Sequence, residues 1–210
     1  MKSVILAPKN DDCDVINSDI LNRIPGQQRI FHSYDKIICD DDSEINNYPV
    51  EFLNSLTISG LPPHKLVLKE NCIVLLIRNL NTKKALVNGT RMRIKFMHRN
   101  TIDCEILTGT ARNTRILIPR INLTYSGTIL PFTFQRTQFP IIPAFAMTIN
   151  KSQGQTFEKV GILLRQPVFS HGQLYVAASR VRSFNGLRFY ISECNGQGHL
   201  ANDERVFTKN

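Results

Sequence analysis

The stretch Thr148-Ile149-Asn150-Lys151-Ser152-Gln153-Gly154-Gln155-Thr156 gathers hydroxyls, an ammonium group and a glycine directly after the apolar run Ala144-Phe145-Ala146-Met147. A loop that leaves a strand and opens a helix presents unpaired backbone N–H groups, so this composition suits close approach by phosphate. The same residues would also make an ordinary polar turn capped by Ser152 or Thr148, and spacing alone does not separate the two readings. A second candidate is Gly172-Gln173-Leu174-Tyr175-Val176-Ala177-Ala178-Ser179-Arg180-Val181-Arg182. At 100° per residue, Leu174, Ala177 and Val181 form a buried stripe, with Gln173 and Arg180 side by side at its border. An arginine held there can reach a ligand oxygen. It can equally extend its charged head into water from a surface helix.

The elements that must position these residues follow from periodicity and turn signals. Residues 3–7 are an apolar, β-branched run that stops at Pro8, and Asn10-Asp11-Asp12 then supplies cap oxygens and first-turn negative charge for a helix. Val15, Ile16, Ile20, Leu21 and Ile24 recur at helical spacing before Pro25-Gly26. A strand over Phe31–Tyr34, an acidic loop over 40–47 and a short helix near Tyr48–Leu56 complete the first part. After Leu61-Pro62-Pro63 the pattern changes to short β-rich runs at Lys65–Leu68, Cys72–Arg78, Thr90–Met97, Thr101–Leu107 and Arg115–Pro119. From Pro143 the helix and strand alternation returns: a strand over Ala144–Ile149, a turn into a helix from Lys151, a strand over Val160–Leu164, a helix over Ser170–Val181 and a strand over Leu187–Ile191. The expected organisation is an α/β domain formed by 1–60 and 126–194, a small β-barrel inserted at 61–125, and a polar tail over 195–210.

Charge is distributed along this plan unevenly. The chain carries 26 Lys and Arg against 17 Asp and Glu, a net +9, with a pI near 9.5. Residues 1–60 hold 5 basic and 10 acidic side chains, 61–140 hold 13 and 3, and 141–210 hold 8 and 4. The excess therefore belongs to the insert, which points to a folded basic face and a nucleic-acid or phosphate-rich ligand. Alternation in Arg91-Met92-Arg93-Ile94-Lys95-Phe96 predicts the three cations on one sheet face and the apolar residues on the other. Arg78, Lys83, Lys84, Arg99, Arg112, Arg115 and Arg120 would join them, with His64, Phe96 or Tyr125 as stacking surfaces for bases. A solvated barrel face explains the same pattern.

Several classes are excluded. A 42% apolar and 20% charged composition is that of a globular chain rather than a disordered one. The longest apolar run, Ile73–Ile77, falls far short of the ~20 residues of a membrane span, and the N-terminal run is too short for a signal peptide. Five cysteines without CxxC spacing, Cys13, Cys39, Cys72, Cys104 and Cys194, indicate neither a disulfide framework nor a zinc site, and a reducing intracellular compartment is expected.

Taken together, these segments resemble the C-terminal motor half of superfamily 1 DNA helicases, and most closely the petite-integration-frequency family, whose relatives include RecD-like and Helitron helicases. Leu6-Ala7-Pro8-Lys9-Asn10 with Val15 and Asn17 is similar to motif IV, Thr148–Thr156 to motif V, and Tyr175-Val176-Ala177-Ala178-Ser179-Arg180 to motif VI. Leu61-Pro62-Pro63-His64-Lys65-Leu66 and Arg78-Asn79-Leu80 followed by Asn88-Gly89-Thr90-Arg91 resemble that family's inserted 2B domain. The resemblance implies a RecA-like second motor domain carrying a Src-homology-3-like barrel. It implies Arg180 as an arginine finger to the γ-phosphate of ATP, Gln153 and Gly154 as the coupling between nucleotide and DNA, and Thr148, Lys151 and Ser152 as phosphate contacts. Asn10, Asn150, His64, Arg91, Arg93 and Lys95 are the further expected DNA contacts. Asn150 stands where the family usually has His, and Ala178 where it often has Leu.

None of the eleven glycines is followed by Lys, so no P-loop is present, and Asp203-Glu204 has no apolar strand before it to make a Walker B carboxylate. The resemblance therefore implies that ATP and Mg2+ are held mainly by a first RecA-like half outside this sequence, and that this chain alone is inactive. Expected partners are single-stranded DNA and that N-terminal half, with no membrane. The expected setting is nuclear, with mitochondria as the alternative, in repair, recombination and telomere maintenance. The rival expectation is a non-catalytic nucleic-acid-binding module or relic of a transposon-type helicase.

Overall fold

The computed structural model describes residues 3–39, 48–128, 130–165 and 172–191. In chain order the elements begin with β1 (Ser3–Ala7), α1 (Asn10–Arg23), β2 (Arg29–His32), β3 (Tyr34–Ile38), α2 (Val50–Ser55), β4 (Lys65–Leu68) and β5 (Ile73–Leu76). A 3-10 turn at Thr82–Lys84 leads to β6 (Arg91–Met97), β7 (Thr101–Ile106), β8 (Arg115–Pro119), β9 (Ile121–Tyr125), β10 (Thr133–Gln138), β11 (Ile141–Pro143) and β12 (Ala146–Thr148). A second 3-10 turn at Asn150–Ser152 precedes β13 (Lys159–Leu164), α3 (Gln173–Ala178), a third 3-10 turn at Phe184–Gly186 and β14 (Leu187–Ile191). Two compact units result, one formed by 1–18 with 145–210 and the other by 19–144.

The first unit is built on a parallel sheet of order β12-β1-β13-β14. Because β1 is paired on both sides and covered on its faces, its residues can be apolar without alternation, and Val4, Leu6 and Ala7 are all buried. Pro8, lacking an N–H, ends the strand, and α1 starts two residues later. Cys13 and Ile16 of α1 pack on Ala7 and Ala146. One turn further on, the Asn17 amide donates to Ala146 O at 3.0 Å and accepts from Ala146 N–H at 2.8 Å. Ile5 N–H donates to Phe145 O, so Ala146 presents its own polar groups to the open edge of β12. Asn17 thus seals that edge in place of another strand.

The second unit is antiparallel: a five-stranded sheet of order β11-β5-β6-β7-β8, a three-stranded sheet β3-β10-β9 and a two-stranded pair β2-β4. Met92, Ile94, Ile102, Cys104, Ile106 and Ile118 line the buried side of the larger sheet. Ile37, Leu53, Phe132 and Phe134 form a second cluster. Between these elements Arg136, 1% exposed, lies against the buried carboxylate of Asp35, with Nη2 to Oδ2 at 2.7 Å and Nε to Oδ1 at 3.0 Å. Its remaining donors reach Pro62 O and Leu53 O, so the charge is both paired and hydrogen-bonded.

The five strands expected over 65–119 are all present, within two residues at either end. One of them, β4, leaves the larger sheet to pair with β2, and β11 takes the edge beside β5. The strand expected over Phe31–Tyr34 is two strands, and β9, β10 and β11 fall where no strand is expected. The run Ala144–Ile149 contains β12 alone, because β11 ends at Pro143 and pairs within the other unit. No α-helix follows Lys151; a single 3-10 turn gives way to Gly154 at φ +76°, which reverses the chain. The helix expected over Ser170–Val181 is described over Gln173–Ala178. The acidic loop at 40–47, Cys194, Asp203-Glu204 and the tail lie outside the described residues.

Candidate nucleic-acid and nucleotide interface

Parallel strands β1 and β12 end side by side, and the turns that follow bring Asn10 and Lys151 together, with Lys151 Nζ 3.4 Å from Asn10 Oδ1. Ile149 N–H donates to Ala7 O, which continues the ladder into the turn. Two expected ligand contacts turn out to build this turn from inside. Thr148 is buried with Oγ1 accepting from Lys151 N–H at 3.4 Å, and Ser152 is fully buried with its hydroxyl donating to Ile149 O at 2.6 Å. The exposed groups are Asn10, Asn150, Lys151, Gln153 and Gly154. They sit at the carboxyl ends of the strands, where open α/β sheets bind their ligands.

Arg180 is fixed to this same turn. Its Nε donates to Val176 O at 3.0 Å, Nη1 to Gln155 O at 3.4 Å and Nη2 to Ser179 Oγ at 2.9 Å. Backbone pairing adds to the link: Phe157 N–H donates to Arg180 O and Arg182 N–H to Phe157 O, a parallel bridge centred on Phe157 and Val181. The loop after β12 and the segment after α3 are therefore one mechanical piece. Gln173 is buried and does not share a border with Arg180, because α3 ends at Ala178 and helical stepping no longer relates the two positions. Tyr175, 77% exposed, faces outward from α3.

In the second unit the expected cationic face is only partly realised. Arg93 and Lys95 both approach Glu105, at 3.7 and 2.9 Å, and with Arg115 they hold its carboxyl below the usual range, the Lys95 hydrogen bond being the largest cause. Arg91 keeps the alternation of Arg93 but is covered rather than exposed. It is buried, Nη2 donates to Ala144 O at 2.9 Å, and burial pushes its guanidinium down to about 10. His64 packs inward through Nδ1, 2.8 Å from Ser33 Oγ and 3.8 Å from Asp35 Oδ2, with its ring 5.3 Å from that of His32. Arg120 lies over the Phe139 ring at 4.7 Å and donates to His32 O. Tyr125 packs on the Phe134 cluster. Arg78, Lys83, Lys84, Arg99 and Arg112 are exposed.

Of the two polar groups that organise these units, Asn17 belongs to the segment likened to motif IV, whereas the Arg136–Asp35 pair carries no motif of its own. A signal for the second existed: strand alternation in Thr133-Phe134-Gln135-Arg136-Thr137-Gln138 puts Arg136 on the side of Phe134, which requires a buried partner. Among the described residues no group of three or more His, Cys, Asp or Glu side chains is placed to hold a metal, and no helix is long and apolar enough to cross a membrane.

Residues 51–96 match the family model described as DNA helicase Pif1, 2B domain. Over 188 residues the chain is 32% identical to the ATP-dependent DNA helicase PIF1 of Xenopus laevis and 34% identical to that of Rattus norvegicus, covering 87% of this chain and 26% of each relative. It thus spans about a quarter of the length of these curated relatives. Among solved structures, the Pif1 helicase from Candida albicans superimposes with a TM-score of 0.68 over 92% of this chain and 46% of that one, at 26% identity. The Bacteroides Pif1 bound to ssDNA shares the fold at a TM-score of 0.64 over 98% of this chain and 45% of that one, at 24% identity. The parallel sheet is accordingly a RecA-like core and the β-rich insert a 2B domain, and the sequence likeness to the Pif1 family of DNA helicases runs through both.

Proposed function

We propose that this chain is the second motor half of an ATP-dependent 5′-to-3′ DNA helicase, working with a first RecA-like half that holds ATP and Mg2+. The relatives it matches are named ATP-dependent DNA helicases. The observation that carries the reading is the link between Arg180 and the turn after β12, made by the guanidinium contact to Gln155 O and the Phe157 pairing. A planar, permanently charged donor is suited to the charge that develops on a transferring phosphoryl group. In this reading ATP supplies the phosphoryl oxygens that compete for Arg180. When Arg180 leaves Gln155 O, the turn bearing Asn150, Lys151, Gln153 and Gly154 is released to shift along single-stranded DNA. Asn10 and Lys151, with Arg93 and Lys95 of the insert, contact the DNA backbone, while Thr148 and Ser152 keep the turn in shape. The proposal extends to a nuclear role in genome maintenance.

The test has two arms. The pure 210-residue chain is expected to bind a labelled oligothymidylate weakly, with affinity falling steeply as salt rises, and to show no magnesium-dependent ATP turnover. Salt-insensitive binding would overturn the DNA assignment, and turnover by the chain alone would overturn the division of labour. Joined to a first half, Arg180→Ala should cut turnover by about a thousandfold or more while leaving oligonucleotide affinity unchanged. A second reading, a non-catalytic binding module, is favoured by the engagement of Nε, Nη1 and Nη2 of Arg180 with acceptors of its own chain. An Arg180→Ala variant with unaltered activity in the joined enzyme would select it.

A further inference from the structure

We propose that the β6–β7 hairpin carries a two-ring platform, Phe96 with His98, on which a base of single-stranded DNA stacks while Arg99 and Arg29 meet the adjoining phosphates. The inference rests on the DNA-binding reading above and names a contact within it. Strict alternation from Met92 and Ile94 would bury Phe96. The ladder instead slips by one residue: Ile94 pairs with Cys104 and Phe96 with Asp103, leaving Lys95 as the extra residue of a β-bulge. A one-residue slip exchanges the faces of everything beyond it, and bulges of this kind re-aim side chains near functional sites. Met97, paired with Ile102, takes the inner position and is buried. Phe96 goes to the outer face and is 49% exposed.

The surroundings suit a base and its phosphates. The Phe96 and His98 rings lie 4.8 Å apart at 58°, forming an angled aromatic corner against which a base can pack. His98 N–H closes the turn on Thr101 O, which places Arg99, exposed, immediately beside the rings. Arg29, whose guanidinium lies 5.8 Å over the Phe31 ring, donates through Nη1 to Met97 O, so a second guanidinium is held at the hairpin backbone. The carboxylates on this face are already matched, Asp103 by Arg115 and Glu105 by Lys95 and Arg93. Exposed rings and guanidiniums on one hairpin are the combination of π surface and charge that sequence-tolerant single-strand binders use, and each stacked base strengthens binding by roughly five- to a hundred-and-fiftyfold.

The experiment compares the full chain with Phe96→Ala, Phe96→Tyr and Leu117→Ala, the last removing a 61% exposed leucine that shares the outer face. Each is titrated by fluorescence anisotropy against an oligothymidylate and the same oligonucleotide with abasic sites. Phe96→Ala should weaken binding to the normal strand about tenfold, leave the abasic strand unaffected and so lose the preference for bases. Phe96→Tyr should retain that preference, and Leu117→Ala should bind as the parent does. Equal loss on normal and abasic strands, or no loss on either, overturns the platform while leaving the DNA reading standing. A parent chain that binds neither strand overturns both, and points to a protein partner for the hairpin instead.

Discussion

The two units treat charged and amide side chains in opposite ways. In the α/β unit Asn10, Asn150 and Lys151 stand in solvent at the ends of strands, and the buried polar groups, Asn17, Thr148, Ser152 and Gln173, are uncharged. In the β-rich unit two arginines are interior: Arg136 in its pair with Asp35, and Arg91 on Ala144 O. The difference follows from what each unit has to hold in place. A parallel sheet satisfies its backbone through its ladders, with Asn17 closing the one edge described above. The three small sheets of the second unit leave carbonyls such as Pro62 O, in a loop, and Leu53 O, in α2, between them, and a guanidinium with five donors can serve several at once. The surplus of cations in the insert is therefore partly internal architecture, and net charge overstates the cationic surface that the unit exposes.

The largest effect should come from breaking the interior pair. Arg136→Met leaves Asp35 buried and unpaired, and urea unfolding is expected to show a loss of about 3–5 kcal/mol. Lys151→Met, at an exposed position, should cost no more than about 0.5 kcal/mol yet weaken oligonucleotide binding. Adding Asp35→Leu to Arg136→Met should recover much of the loss, because the cost lies in the orphaned carboxylate. A small effect for Arg136→Met would erase the contrast between the units.

The α/β unit has its own interior polar group, and its loss should be felt less. Asn17→Leu leaves Ala146 N–H and C=O without their partner and is expected to destabilise by about 1–3 kcal/mol, read by the same urea transition. Hydrogen exchange sharpens the comparison: the Ala146 amide should lose protection selectively, since Asn17 is its acceptor. Uniform loss of protection throughout the sheet would mean that Asn17 supports the core rather than the edge.

How far these features were legible in the sequence depends on the range of the interactions that produce them. Strands β4 to β8 are marked by local alternation and turns, and the motif-like loop after β12 by its composition. Arg180 stands out in the sequence, but the helical stripe expected to border it stops at Ala178, and its contact with Gln155 joins residues 25 apart and is set by the Phe157 bridge. Arg91 looks identical to Arg93 in the alternating pattern. Its burial comes from β11, a strand whose three residues Ile141–Pro143 give almost no signal and which leads the chain to Ala144 O. The bulge at Lys95 likewise leaves no mark in a single sequence, since each residue around it is compatible with a regular strand.

The smallest expected effect tests whether the interior pair reaches the surface electrically. Burial holds the His64 imidazole below its ordinary value of 6.5, with Arg136 and His32 pushing the same way and Asp35 opposing them. As pH falls through about 6.5 the unfolded chain takes up this proton first, so the contribution of His64 to stability is present above that pH and is lost as pH drops towards the folded value. Between pH 7 and pH 5 the parent should lose slightly more stability than His64→Gln. In the Arg136→Met background the repulsion is gone and Asp35 faces His64 alone, so the imidazole should bind its proton more readily and the pH dependence of this group should shrink or reverse. An unchanged dependence in that background would show that His64 senses burial alone, and that the interior pair of the insert is electrostatically closed to the surface beside it.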